Sequence, residues 1–242
     1  MKLAKYLANL GYGSRRETER LLTVGRVTRA DQSRLKDGDE CAHTDIRVDG
    51  NPLDPEPGGV LLLHKPIGYV CTTKGDDKLV YQLLPPRFVL RTPVIAPVGR
   101  LDRETSGLLL LTDDGTLNHR ITSPRSPVPK TYDVQLATDL CGDEAVLFAS
   151  GSLMLQSELH PLLPATLEVV TQRRVRVTVH EGRYHQVRRM FAAVGNHVVA
   201  LQRLSVGPIT LDNMVEGTWR MLLPSEVALL RAATTSSTPQ AP

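Results

Sequence analysis

Residues 99 to 111 read Gly-Arg-Leu-Asp-Arg-Glu-Thr-Ser-Gly-Leu-Leu-Leu-Leu, a polar loop that runs straight into an apolar strand. The loop carries one aspartate, Asp102, between Arg100 and Arg103. Guanidinium groups within a few ångströms of a carboxylate stabilise its anion, and an ionised, positioned carboxylate can act as a nucleophile or a base. The same pattern describes a loop salt bridge feeding a buried strand, and the residue types alone leave both readings open. A second acid pair follows the strand, in Thr112-Asp113-Asp114-Gly115. An Asp-Gly step after a strand reads as a turn. The rival reading is a metal-binding pair, with Asp102 or Asp113 as the nucleophile of a magnesium-dependent phosphoryl transferase.

Other chemistries find little support. The seven histidines are scattered, with no His-Glu-x-x-His helix of the kind that binds zinc. There is no glycine-rich phosphate loop and no dinucleotide fingerprint. Cys41, Cys71 and Cys141 are odd in number and lack paired spacing, which argues against a disulfide framework or a zinc site and suits a reducing cytosol. No run approaches membrane-spanning length, and no apolar stretch follows the first lysines as a secretory signal would. These features describe a soluble, cytoplasmic protein with no membrane partner.

The elements that must hold such a loop are legible in part. At 242 residues, 41% of them hydrophobic, the chain suits one catalytic domain with a small appendage. Val60 to Leu63 and Leu108 to Leu111 read as buried strands. Val175, Val177 and Val179 alternate with Arg176 and Thr178, the period of a half-exposed strand, and Val198 to Val206 is a further strand candidate. Tyr184 to Val194 reads as a helix with Val187, Met190, Phe191 and Val194 on one stripe, ended by Gly195. Strands mixed with segregated helices and few regular crossovers point to an α+β fold with a mixed, largely antiparallel sheet.

The first fifty residues form a separate module. Leu3, Tyr6, Leu7 and Leu10 recur at helical spacing, and Ser14-Arg15-Arg16-Glu17 is a capping box opening a second helix, with Gly25 placed for a left-handed cap. Arg15, Arg16, Arg20 and Arg26 lie on or just past that helix, exposed. The organisation read from the chain is a small α/β module over residues 1–50 and a proline-rich linker over 51–59. A catalytic domain over 60–232 and a disordered tail over 233–242 complete it.

The net charge of +3 conceals strong segregation. Residues 1–36 hold nine Lys or Arg against three acids, residues 37–59 hold one against seven, and residues 173–190 hold six Arg against one Glu. Two separated basic blocks are the footprint of a polyanion binder, because Lys and Arg replace counterions condensed on phosphate. Solvated charged faces give the same runs.

Four segments in order now carry a resemblance. They are His64-Lys65-Pro66-Ile67-Gly68-Tyr69-Val70, then Gly99-Arg100-Leu101-Asp102 with Thr105-Ser106-Gly107-Leu108-Leu109, then Lys130-Thr131-Tyr132-Asp133-Val134, then Glu181-Gly182-Arg183-Tyr184-His185-Gln186-Val187-Arg188-Arg189-Met190-Phe191. From about residue 60 to about residue 230 the chain resembles pseudouridine synthases of the small-ribosomal-subunit (RsuA) type. Lys5-Tyr6-Leu7-Ala8 through Gly13-Ser14-Arg15-Arg16-Glu17 to Gly25-Arg26-Val27-Thr28 resembles the S4 RNA-binding module. That match weakens after Thr28, where Arg29-Ala30-Asp31-Gln32-Ser33 replaces the usual apolar strand and Asn-Gly turn.

The resemblance implies isomerisation of uridine to pseudouridine in 16S rRNA, without cofactor or metal. Asp102 would be the nucleophile or base, Arg188 its ion-pair partner, and Tyr132 the ring against the flipped uracil. Lys130 and Lys65 would be phosphate or structural contacts, and Arg100 would help fill the gap left by the flipped nucleotide. Leu204 would pack the base, while Arg189, His185, Arg15 and Arg16 would contact RNA. The implied partner is 16S rRNA or a partly assembled small subunit, met by a monomer. The alternatives are a synthase acting on 23S rRNA and a non-catalytic RNA-binding assembly factor.

Overall fold

Ser14 caps the second of two short helices, α1 (Leu3–Asn9) and α2 (Arg15–Thr23), in the computed structural model, which describes residues 1–124 and 126–235. The capping box is complete: the Ser14 hydroxyl accepts from Glu17 N, and the Glu17 carboxylate accepts from Ser14 N at 2.6 Å. Gly25 takes a left-handed φ of +76° just past α2. Strands β1 (Val27–Arg29), β2 (Ile46–Val48) and β3 (Asn51–Pro52) form an antiparallel sheet beside the helices. Leu7, Leu22, Val27, Leu35 and Ile46 are among the side chains of their shared core.

Two expectations need correction here. Asn51 and Pro52 belong to β3, so the module reaches into the segment read as linker. The rest of that segment is held down rather than tethered loosely. Leu53 packs on the module's core, Asp54 accepts two hydrogen bonds from Arg87 at 2.7 and 3.0 Å, and Arg91 donates to Pro55 O at 2.8 Å. Prolines and acids look like a solvated tether only while the arginines that meet them, far along the chain, are out of view.

The larger body contains β4 (Val60–Lys65), β5 (Ala96–Pro97), β6 (Thr105–Thr112), α3 (Gly115–Thr122), β7 (Lys130–Leu136) and α4 (Glu144–Ala149). It continues with β8 (Thr166–Thr171), β9 (Arg174–Val179), α5 (Gln186–Ala193), β10 (Val198–Val206), β11 (Ile209–Thr210), β12 (Trp219–Met221) and α6 (Pro224–Ala233). Nine strands make one sheet in the order β12-β4-β6-β10-β7-β9-β8, with β5 added on β6 and β11 on β10. The β6–β10 pair is parallel and the other pairs are antiparallel, which is the mixed, largely antiparallel sheet read from the pattern.

The leucine run of β6 shows why its sequence does not alternate. Leu108 and Leu110 face a core with Leu117 and Ile121 of α3 and Leu230 of α6, while Leu109 and Leu111 face another with Val80 and Phe88. A strand covered on both faces needs apolar residues at every position. On β9, Val175, Val177 and Val179 are buried and packed with Val187, Met190 and Phe191 of α5. The helix begins later than its periodicity suggests, because His185 sits in the left-handed region at φ 48° and the helical path starts only after it. Where β6 and β10 run side by side, Gly107 is essential: its φ is +109°, and a Cβ would lie 2.3 Å from Arg203 O. Helix α6 runs through Ala233, so the expected tail falls mostly on residues 236–242, outside the described residues. No helix among the described residues is long and apolar enough to cross a membrane.

Candidate active site

The loop bearing Asp102 is pinned from below by Lys65. This lysine is fully buried, and its ammonium donates to Pro66 O and Asp102 O at 3.0 Å and to Thr105 O at 2.8 Å. Burial pulls its pKa down to about 8. An amine sealed among three carbonyls has no reach to a phosphate, so the structural reading of Lys65 replaces the RNA contact. Gly68 N donates to Arg103 O at 2.7 Å and Thr105 N donates to Asp102 O at 3.1 Å, tightening the same turn. The backbone of the loop is thus fixed while the Asp102 carboxylate stays about one-third exposed.

The two neighbouring arginines do not flank that carboxylate in space. Arg103 turns away to Asp77 at 3.0 Å, and Arg100 is exposed with no hydrogen-bond partner among the described residues. The basic group beside the Asp102 carboxylate is His185, with Nε2 at 3.3 Å from Oδ1. Arg188 is not in that pair. Its guanidinium donates to Glu104 O and to Val198 O, each at 3.0 Å, so it ties the Asp102 loop to the start of β10 through backbone carbonyls. The physical reason lies one turn upstream: the left-handed His185 aims its imidazole at the loop, and Arg188, inside the helix, reaches the loop's far side.

A knot of side chains holds His185 in this place. Glu181 is buried and accepts from Leu163 N at 2.8 Å, from Arg183 Nε at 2.9 Å and from Gln186 Nε2 at 3.2 Å. Tyr184, 69% exposed, stacks on the His185 ring with centroids 3.9 Å apart. Arg189 belongs to this knot and not to a free RNA-binding face, because Glu158 takes its Nη1 at 2.7 Å. Glu158 lies far back in sequence, which is why an arginine on a basic helix looked unpaired.

Asp102 and His185 lie side by side in the wall of a cleft of about 350 Å³. Its lining also includes Arg100, Lys130, Tyr132, Tyr184 and Arg203. Tyr132 of β7 and Arg203 of β10 are registered partners in the sheet floor. Leu204 is not there; it is half-buried at the irregularity between Arg203 and Ser205, where the strand's alternation is broken. Leu201 and Val206 supply apolar lining instead. Reading the face of β10 from Val198 and Leu201 onward was the available signal, and a local irregularity between Arg203 and Ser205 obscures it. Arg15 and Arg16 lie on α2, exposed and outside the cleft lining, with Arg15 paired to Glu19 at 3.2 Å.

Small-molecule sites span roughly 300–1,000 Å³, so this cleft has the room of a small-molecule site and is too small for a nucleic-acid duplex. It offers that guest one open carboxylate, one aromatic ring in the floor and several cations.

The RNA pseudouridylate synthase family model matches residues 59–193. The chain is 47% identical over 189 residues to the ribosomal small subunit pseudouridine synthase A of Escherichia coli (strain K12), covering 76% of this chain and 79% of that protein. It is 43% identical over 239 residues to the protein of the same name from Yersinia pestis, covering 96% and 99%. A solved crystal structure of a pseudouridylate synthase matches with a TM-score of 0.67 at 36% identity, covering 95% of this chain and 99% of that one. A floor of mixed strands, an acid loop above it and relatives of this closeness lead to one conclusion: the chain belongs to the RNA pseudouridylate synthase family.

Proposed function

We propose that this enzyme isomerises a uridine of small-subunit (16S) rRNA to pseudouridine, with Asp102 as the acting carboxylate. The observation that carries the reading is the setting of Asp102: its backbone is pinned by Lys65, while its carboxylate opens into the cleft with His185 Nε2 beside it at 3.3 Å. The reaction breaks the C1′–N1 bond, turns the uracil in place and joins C5 to C1′; C5 releases its proton and N1 takes one up. The balance contains no oxidant and no water. Asp102 either attacks C1′ or removes a C2′ proton to leave a glycal, and both routes start from the same oxygen.

The target base must leave its stack before any carboxylate can reach C1′. Tyr132, half-buried in the floor, offers it a ring, and such stacking is worth about 1–3 kcal/mol per base. Arg100 lines the cleft with no hydrogen-bond partner among the described residues, which supports a role in filling the gap left by the flipped nucleotide. Arg15 and Arg16 give the S4-like module an exposed basic face for RNA outside the cleft. The names of the relatives support a small-subunit target, and three free thiols suit a reducing cytoplasm.

Tritium release from RNA labelled at uridine C5 tests this, with 16S and 23S rRNA assayed in parallel. Release from 16S rRNA alone, lost in Asp102→Asn, is the expected result. Release from 23S rRNA alone would move the target to the large subunit. No release from either RNA, including partly assembled subunits, would make the chain a binding factor.

A further inference from the structure

Arg203 is 3% exposed, yet only one of its three guanidinium nitrogens is satisfied. Its Nε donates to Leu108 O at 2.7 Å. Nη2 is sealed from solvent without a partner, and Nη1 also makes no hydrogen bond to a described residue. Leaving buried donors of a charged group unmet is costly, and the site tolerates it at a residue that lines the cleft. Lys130 lies beside it, half-buried and equally without a hydrogen-bond partner among the described residues. Burial, and next the Arg203 charge, push the Lys130 amine down to about 8. The acid nearest in kind, Glu181, is already engaged by Leu163 N, Arg183 and Gln186. Two cations therefore stand in the floor with free donors, and no carboxylate of the described residues is hydrogen-bonded to either.

The reaction supplies such an anion. When C1′–N1 breaks, the bonding pair leaves with the uracil and spreads from N1 onto its two carbonyl oxygens. We propose that Arg203 and Lys130 are the receptor for that charge, donating to the uracil carbonyls and holding them harder as the bond breaks. Arg203 is registered opposite Tyr132 on the same floor, so a ring stacked on Tyr132 brings its polar edge within reach of the guanidinium. C5 then bonds to C1′ as the bond from C1′ to the Asp102 carboxylate breaks or, on the glycal route, as Asp102 returns its proton to C2′. C5 gives its proton to solvent and N1 takes one up, so Asp102 is restored and the product is neutral. A backbone phosphate is the rival ligand for two cations. The floor position, against the exposed Arg100, favours the base.

This inference rests on Asp102 as the reacting carboxylate, and the test separates the two. Arg203→Gln, Arg203→Lys, Lys130→Met and Asp102→Asn are compared by single-turnover tritium release from C5-labelled 16S rRNA and by RNA affinity at several salt concentrations. Loss of one preorganised donor to developing charge costs about 10²-fold in rate. Arg203→Gln and Lys130→Met are each expected to lose about that much at unchanged RNA affinity and salt slope, with partial recovery in Arg203→Lys. Wild-type rates in the folded variants would overturn the proposal. So would a rate loss matched by weaker binding and a flatter salt slope, the signature of a phosphate contact. If Arg203→Gln fails to fold, Lys130→Met decides on the same two readouts. Release surviving in Asp102→Asn while the cation variants lose theirs would overturn the carboxylate assignment and not the receptor.

Discussion

β6 carries an aspartate near each end, Asp102 ahead of it and Asp113 directly after it, and the two have opposite surroundings. Asp113 is 4% exposed, bound to Arg91 Nη2 at 2.9 Å and to Gly58 N at 2.6 Å. Arg91 is itself buried and also holds Pro55 O, so this carboxylate fastens the segment after the N-terminal module to the end of β6. Asp102 has no such partners. Its backbone is fixed by Lys65 and its neighbours, and its side chain is left open toward a cleft. A carboxylate saturated with donors is structural, and one whose main chain is saturated while its oxygens are free is available for chemistry. The same rule sorts the arginines: Arg183 and Arg189 are consumed by Glu181 and Glu158, whereas Arg100 and Arg203 keep free donors at the cleft.

Breaking the saturated end gives the largest change in stability. Removing one partner of a buried ion pair costs about 3–5 kcal/mol. Asp113→Asn should lose about that much in urea unfolding, while Asp102→Asn unfolds close to wild type. Equal losses would erase the distinction between the two ends.

Lys65→Met attacks the support of the open end. Three carbonyls lose their donor, at a cost of about 1–3 kcal/mol, and the loosened loop should lower turnover about 10²-fold. The variant also carries a pH signature. The folded pKa of Lys65 is about 8 against an ordinary 10.5, so the unfolded chain binds more protons between those values. Stability contributed by this group therefore rises as pH climbs through that window, and it is lost as pH falls through about 8. Thermal unfolding from pH 7 to 10 should show that rise in wild type and a weaker one in Lys65→Met.

Arg188→Met tests the correction made to its role. Losing the tie to Glu104 O should lower turnover about 10-fold by displacing the loop, with RNA affinity unchanged. A loss as deep as that of Asp102→Asn would restore Arg188 as the direct partner of the carboxylate. The smallest effect belongs to the outermost cations. Arg15→Gln with Arg16→Gln should reduce the salt slope of RNA binding by about 1–2 and leave single-turnover chemistry alone. An unchanged slope would show that the exposed face of α2 does not meet this RNA.

The elements were legible wherever one physical signal acted alone. The capping box at Ser14, the alternation of β9 and the unbroken apolar run of β6 each state their own environment. Asp102, Tyr132, Lys130 and His185 were legible as a set through the ordered segments, and the fold brings them to one cleft. What stayed hidden depended on long-range partners. Lys65 is a residue type that is almost never fully buried unless paired, and its three acceptors come from the loop it supports. Arg100 and Arg103 are near Asp102 in sequence, but Arg103 pairs with Asp77, Arg100 stays exposed, and a histidine from a distant turn takes the contact. Arg203 and Leu204 are neighbours on β10, but only Arg203 lines the cleft, and Leu204 falls at a one-residue irregularity.

The division between the two aspartates can be measured directly. Wild type, Asp102→Asn and Asp113→Asn would be incubated with the same 16S rRNA, and pseudouridine would be counted per folded molecule. No pseudouridine is expected from Asp102→Asn despite native stability and RNA binding, and a wild-type yield is expected from the folded fraction of Asp113→Asn. Pseudouridine from Asp102→Asn, or its absence from well-folded Asp113→Asn, would contradict that division.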